Sequence, residues 1–293
     1  MIRRTPDLDP SKPWQFFAED ECGAAVNTLF LTNRECPWRC VMCDLWKNTL
    51  TGSVPRGAIP AQIEYALARL PGARVIKLYN SGSFFDPRAI PVADYPAIAG
   101  LLGSFDRVVV ECHPALIGED CLRFRDLISG QLEVAMGLET AHPEALRRLN
   151  KQMTLEQFSF AAETLRRNGV DLRAFILVKP PFLTEAEAIP WAERSLDFAF
   201  SCGAKVASLI PTRGGNDVLD EHAFSPPKIQ MLEASQEYGL KQQRGRVFAD
   251  LWDLERFSTC GDCYTARHDR LREMNLLQTI PSAVDCPACE ERV

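Results

Sequence analysis

The chain has 293 residues, 46% of them hydrophobic and 25% charged, with a formal net charge of −6. That length can bury a full core, as one large domain or one domain plus an appendage, and the mild acidic balance excludes an overall electrostatic pull toward nucleic acid or anionic membrane. No apolar run follows the arginines of the opening MIRRTPDLDPSKPW, and no stretch approaches the ~18 apolar residues of a membrane span, so the cytoplasm is the expected compartment.

Along the chain, short β-branched apolar runs alternate with helical patterns. The strand candidates are Thr28–Leu31, Val75–Asn80, Arg107–Cys112, Leu132–Glu139, Leu172–Val178 and Lys205–Pro211. Each is a continuous apolar run, as in a parallel strand buried on both faces. The helix candidates are Ala61–Leu70, Tyr95–Leu102, Leu116–Ile128, Leu155–Asn168, Glu185–Ser201 and Lys228–Tyr238. Thr154 and Gln157 form a capping-box signature ahead of the fourth helix, and Gly169 follows its end. Six βα units in a row imply a parallel sheet with right-handed crossovers, short of the eight that close a complete barrel. The expected fold is therefore α/β, a partial (β/α)6 TIM-like barrel over 25–240. An N-terminal extension over 1–24 precedes it. A small C-terminal four-cysteine metal-binding module over 241–293 follows it, where the composition turns charged.

The cytoplasm keeps thiols reduced, so the 11 cysteines do not read as a disulfide framework. Three of them, Cys36, Cys40 and Cys43, are spaced CxxxCxxC just after the first strand candidate. Thiolates are the usual ligands of iron–sulfur clusters, and three would leave one iron of a 4Fe–4S cluster open. The alternatives are chance proximity or part of a zinc site, but structural zinc wants a fourth ligand and none lies nearby in sequence. Loops that follow barrel strands are also where such folds carry their chemistry.

CxxxCxxC after the first strand, within six βα units, resembles the radical S-adenosylmethionine (SAM) superfamily over about residues 25–220. That resemblance implies SAM bound at the open iron and cleaved reductively to a 5′-deoxyadenosyl radical, with a reductant such as ferredoxin or flavodoxin. It also implies that the segment after the second strand, Asn80, Ser81, Gly82 and Ser83, contacts the SAM amino group, although the usual acid of that segment is missing. Glu111 and Glu139 leave buried strands and are placed at the cofactor, because charges are seldom buried unpaired. A salt bridge to a strand-end arginine such as Arg173 is the alternative for them. Arg173 and Arg213 are placed with the cofactor group as well, and Asn216 beside Arg213. The Asn150–Lys151 pair, the run 179–185 and the run 211–216 resemble the branch holding the Elongator catalytic subunit, the methylthiotransferases and the archaeosine-biosynthesis radical SAM protein with its bacterial relatives. Cys112 and Lys151 are weak candidates for a catalytic role, and His113 and His142 for proton donors.

Cys260, Cys263, Cys286 and Cys289 form two CxxC pairs separated by 22 residues. Four thiolates from two tight turns suit a structural zinc, or a second, fully coordinated 4Fe–4S cluster. Two substrates stay open. One is a modified nucleoside in tRNA, from the archaeosine-type resemblance; the other is a small metabolite or natural-product intermediate. A non-catalytic iron–sulfur sensor is the reading of another class. Neither membrane nor DNA is an expected partner.

Overall fold

In the computed structural model, which describes residues 5, 7–214 and 224–290, the six expected βα units are all present. They run β2 (Ala24–Phe30), α1 (Ala58–Leu67), β3 (Val75–Tyr79), α2 (Tyr95–Leu101), β4 (Arg107–Glu111), α3 (Glu119–Leu127), β5 (Gln131–Glu139), α4 (Pro143–Arg148), α5 (Leu155–Arg167), β6 (Asp171–Val178), α6 (Glu185–Ser201), β7 (Val206–Pro211) and α7 (Ile229–Gln242). One strand is added at each edge: β1 (Gln15–Glu21) pairs antiparallel with β2, and β8 (Arg246–Ala249) pairs parallel with β7. Helices α8 (Gly261–Leu277) and α9 (Pro287–Glu290) end the described chain. The result is one eight-stranded sheet in sequential order, parallel from β2 to β8: a half-barrel of the radical SAM type.

The strands therefore reach beyond 25–240 on both sides. The segment before residue 25 supplies β1, joined to β2 by Cys22–Gly23, both at positive φ as a tight two-residue hairpin turn requires. The segment after 240 supplies β8 before the metal-binding cysteines begin. Among the described residues no helix is long and apolar enough to cross a membrane.

Outward-facing strand residues and the helices make the apolar core, in which Phe84, Phe85, Tyr95 and Phe124 pack ring against ring. Cys112 belongs here. It is buried beside Cys121 in this core, whereas its neighbour Glu111 faces the barrel interior. Strand alternation sends consecutive residues to opposite faces, so Cys112 is removed from the candidate site.

Inside the barrel, the end at which the parallel strands begin is filled by charge. Glu21 at the end of β1 takes Arg173 at 2.6 Å and Lys77 at 2.7 Å, and Glu133 takes Arg173 at 2.6 Å and Arg107 at 2.8 Å. Arg107 also meets Asp171 at 2.7 Å, Glu19 meets Lys77, and Arg246 of β8 approaches Glu21. Four acids and four bases from six strands thus seal the floor and tie β1 to β8 across the open edge of the sheet. Arg173 is part of this floor. It lies near the start of β6, away from the strand ends where the cofactor was expected, and its guanidinium is held by Glu21 and Glu133. One layer higher, Tyr79 of β3 meets Phe175 of β6 across the interior, and Phe30 contacts Tyr79 and Trp252.

Candidate functional site at the barrel mouth

The loop after β2 carries Cys36, Cys40 and Cys43 over the ends of the parallel strands, and three contacts fix it there. Trp38, between the first two cysteines, stacks on His113 after β4 with ring centroids 3.8 Å apart and planes 9° from parallel. Val41 donates its amide to the Leu149 carbonyl at 3.0 Å. Asn150 donates its side-chain amide to the Arg39 carbonyl at 2.9 Å. The Asn150–Lys151 pair singled out in the sequence is thus a clamp on the cysteine loop. His113 is part of the same clamp: its Nδ1 accepts from Ala115, so its Nε2 donates to the Lys151 carbonyl at 3.0 Å. Burial and the nearby Lys151 ammonium lower its pKa to about 4, so the imidazole is neutral. His142 caps α4 by accepting from the Ala145 amide, a structural role.

Cys40 is buried, and Cys36 and Cys43 are half-buried. Burial raises the Cys36 thiol to about 11 and the Cys43 thiol to about 12. Each is raised further by a neighbouring cysteine of the triad. The triad fits the three-thiolate set of an iron–sulfur cluster with one open iron.

Against this loop stands the segment after β3. A Cβ on Gly82 would lie 3.4 Å from the Cys36 Cβ, at van der Waals contact, so the two loops pack directly against each other here. Ser81 sits in the left-handed region at φ 53°. Both polar atoms of the Asn80 carboxamide and the Ser81 hydroxyl are buried without a partner among the described residues. The Thr32 hydroxyl and the Asn33 carbonyl, at the root of the cysteine loop, share that condition. Five of the nine such atoms therefore lie on the two loops that meet at Cys36. An unpaired buried polar atom costs ~1–3 kcal/mol, and such groups persist where a ligand or water completes them. The donor and acceptor set matches what the amino-acid end of SAM would require.

Ser83 and Glu111 serve this segment from below. Ser83 Oγ accepts from the His113 amide at 3.0 Å. The Glu111 carboxylate accepts from the backbone amides of Asn80 and Gly82, so it braces the loop. Its enclosure pushes the carboxyl above the usual carboxylate range, against those amides, which pull it down. Glu139, in the left-handed region at φ 64°, pairs with Lys151 at 2.6 Å. Gly137 makes room for the pair, because a Cβ there would come 2.5 Å from Lys151 Nζ. Arg213 reaches the rim, where Asp250 holds it at 3.0 Å and the Trp252 carbonyl accepts a further bond. Asn216 lies outside the described residues. The structure thus gathers Asn80–Ser83, Glu111, Glu139 and Lys151 around the cysteine loop, leaves Arg213 at the rim, and removes Arg173 and Cys112. Sequence reading missed Trp38 and Gly137; the only signal for Trp38 was an aromatic ring placed between two ligand candidates.

The second cysteine group closes on itself. Cys260, Cys263, Cys286 and Cys289 bring all four sulfurs within 4.8 Å of one another, with Cys260–Cys286 at 3.8 Å and Cys263–Cys289 at 3.6 Å. Backbone amides of Asp262 and Cys263, at the start of α8, draw the Cys260 thiol down to about 7. Arg267 donates to Cys263 Sγ at 3.3 Å, and the same guanidinium binds the buried Glu233 of α7. Arg270, one turn on, also reaches Glu233 and Glu237. The cysteine group is thereby fastened to the barrel helix α7.

No family model matches the chain. Among curated proteins it is 30% identical over 216 residues to the archaeosine synthase subunit beta of Methanosarcina acetivorans, covering 68% of this chain and 61% of that protein. It is 28% identical over 231 residues to an uncharacterized protein of Methanocaldococcus jannaschii, covering 72% and 63%. The subunit beta of Thermococcus kodakarensis matches at 26% over 166 residues, covering 54% of this chain and 51% of that one. The chain thus spans less than two thirds of the length of these relatives. Among solved structures, methylornithine synthase superimposes with a TM-score of 0.57 at 14% identity, covering 83% of this chain and 69% of that one. The archaeal Methanocaldococcus infernus Elp3 superimposes with a TM-score of 0.53 at 12% identity, covering 74% and 58%.

Proposed function

We propose that this chain, which has the radical SAM superfamily fold and is distantly homologous to archaeosine synthase subunit beta, is a radical SAM enzyme acting on a modified nucleoside in tRNA. The observation that carries the enzyme reading is the set of orphaned polar atoms on Asn80 and Ser81, packed through Gly82 against Cys36. Cys36, Cys40 and Cys43 would hold a 4Fe–4S cluster, which with bound SAM supplies a 5′-deoxyadenosyl radical for hydrogen abstraction. Asn80, Ser81 and the backbone of Gly82 and Ser83 receive the amino-acid end of SAM. Glu111 keeps that loop in place through its amide bonds. Trp38, His113 and Asn150 keep the cysteine loop over the mouth. Partly buried Phe30, Tyr79 and Phe175 offer ring surface within the barrel, suited to a planar base turned out of its stack.

Anaerobically reconstituted protein, given reductant and SAM, is expected to form 5′-deoxyadenosine, and a Cys40→Ala variant is not. Cleavage that survives the substitution refutes the assignment. The net charge of −6 favours a second reading, in which the substrate is a small molecule. Salt-sensitive retardation of bulk tRNA at micromolar protein supports the nucleoside; none supports the small molecule.

At the C-terminal quartet we assign a single tetrahedral ion, zinc. Four sulfurs at about 2.3 Å from one zinc stand about 3.8 Å apart, and the two measured pairs fit that spacing. A four-iron cube holds its thiolates much wider, each outside a different corner. Elemental analysis should find one zinc per chain beside about four irons; about eight irons and no zinc overturns the assignment.

A further inference from the structure

The C-terminal quartet is met by a buried cation. Arg267 lies one helical turn after Cys263 on α8, on the same helix face, and each nitrogen of its guanidinium has a partner. Nε donates to Cys263 Sγ at 3.3 Å, Nη1 donates to Glu233 of α7, and Nη2 donates to the Val284 carbonyl at 3.1 Å. A neutral thiol is a weak acceptor, whereas a charge-assisted bond to an ionised group is roughly twice as strong as a neutral one. A guanidinium withdrawn from water and aimed at a sulfur is therefore matched to the thiolate form of that cysteine, the form that holds a metal.

The same guanidinium joins the two halves of the site. Cys260 and Cys263 stand at the start of α8, while Cys286 and Cys289 return after the segment 278–285, which contains neither helix nor strand. Arg270 donates to the carbonyls of Pro281 at 3.0 Å and Ser282 at 2.8 Å, and Arg267 to that of Val284, two residues before Cys286. Both arginines converge on Glu233, whose side chain is buried. Glu233 belongs to the barrel helix α7, and Gln230, one turn earlier, brings its side-chain amide to 3.9 Å from Cys289 Sγ. A barrel helix thus addresses one sulfur of each CxxC pair, Cys289 directly and Cys263 through Arg267.

We propose that Arg267 is a positioning residue for the C-terminal metal: held by Glu233, it donates to the metal-bound Cys263 thiolate, fixes that ligand and raises the metal affinity of the site. This rests on the zinc assignment above. Four thiolates bring more negative charge than a divalent ion offsets, and a fixed cation at one sulfur balances part of the excess. Residues bonded to a metal ligand rather than to the metal change affinity by about 10–100-fold. Through α7, the barrel thereby sets how tightly a module outside the sheet holds its ion.

The test exchanges zinc for cobalt(II) in the reconstituted protein. The difference spectrum between the cobalt and zinc forms cancels the iron–sulfur absorption and leaves the sulfur-to-cobalt charge-transfer band. Competition with a chromophoric chelator gives the zinc affinity. Arg267→Met should lower that affinity about tenfold and move the band to lower energy, because a thiolate without its donor gives up charge more readily. Glu233→Gln, which loosens the guanidinium, should move the band the same way by a smaller amount. Arg270→Met is the control for a merely structural role. It releases the same return segment but removes no donor to sulfur, so its band should stay at the parent position whatever its affinity. A band that moves equally in Arg267→Met and Arg270→Met, or in neither, overturns the proposal, as does parental affinity in Arg267→Met. Should Arg267→Met fail to hold cobalt, Glu233→Gln decides: an unmoved band there overturns the proposal. Parent protein without the spectrum of a tetrahedral four-sulfur cobalt site would instead refute the zinc assignment itself.

Discussion

The two ends of the barrel solve opposite problems with similar residues. At the floor, eight ionisable side chains meet, of which Glu21, Lys77, Glu133 and Arg173 are buried and the other four partly exposed, and each is paired within the network. At the mouth, a carboxamide and hydroxyls are equally buried and have no protein partner, while Ser81, Glu139, Asn150, Gln152 and Lys179 all hold positive φ. The floor is complete without a ligand, and the mouth is not. Burial of polar groups alone therefore does not mark a functional site; burial without satisfaction, on strained strand-end loops, does.

The strongest way to break this comparison is at the floor. Arg173→Ala removes the cation shared by Glu21 and Glu133, leaving each with one partner, Lys77 and Arg107, and removing one partner of a buried ion network costs about 3–5 kcal/mol. Denaturant unfolding should show that loss, while the folded fraction keeps its iron content. Iron lost in proportion to Arg173 occupancy, with stability unchanged, would move the floor into the site. A smaller effect is expected at the clamp. His113 has its pKa lowered to about 4 in the folded protein, against about 6.5 when unfolded. Below 6.5 the unfolded chain binds a proton that the folded one refuses. Its contribution is therefore full above 6.5, declines as pH falls toward 4, and is level below that, for about 3 kcal/mol in all. Unfolding at pH 7, 5.5 and 4 in parent and His113→Asn protein isolates this slope; equal slopes in the two would show that the imidazole does not stay neutral.

Much of this was legible in advance, for reasons specific to each element. The six βα units showed because parallel strands buried on both faces are continuous apolar runs. β1 did not, because Gln15–Glu21 mixes phenylalanines with acids whose compensation comes from Lys77 and Arg173, remote in sequence. β8 has four residues, too few for a pattern. The cysteine triad and the 80–83 segment were placed by their position after strands. Arg173 was misplaced because composition shows a charge in a strand but not at which end of the barrel it faces. Glu111 was expected to contact the cofactor from its strand end, and its engagement with the loop amides instead depends on backbone geometry that no sequence pattern carries.

The smallest expected change is the most discriminating. Asn80→Leu keeps the side-chain volume at the mouth and removes a carboxamide that has no partner. Were Asn80 a core residue like those of the floor, its loss would destabilise the protein. An orphaned amide costs its desolvation and returns nothing until a ligand arrives, so the ligand-free variant should be more stable than the parent by about 1 kcal/mol. The same substitution should weaken SAM binding about tenfold, the equivalent of about 1.4 kcal/mol, when measured by calorimetry on the reconstituted protein. Stability and affinity then move in opposite directions at one residue, which is the signature of a group held ready for a ligand. A variant that loses both would place Asn80 with the floor, as part of the scaffold, and the distinction between the two ends of the barrel would fail.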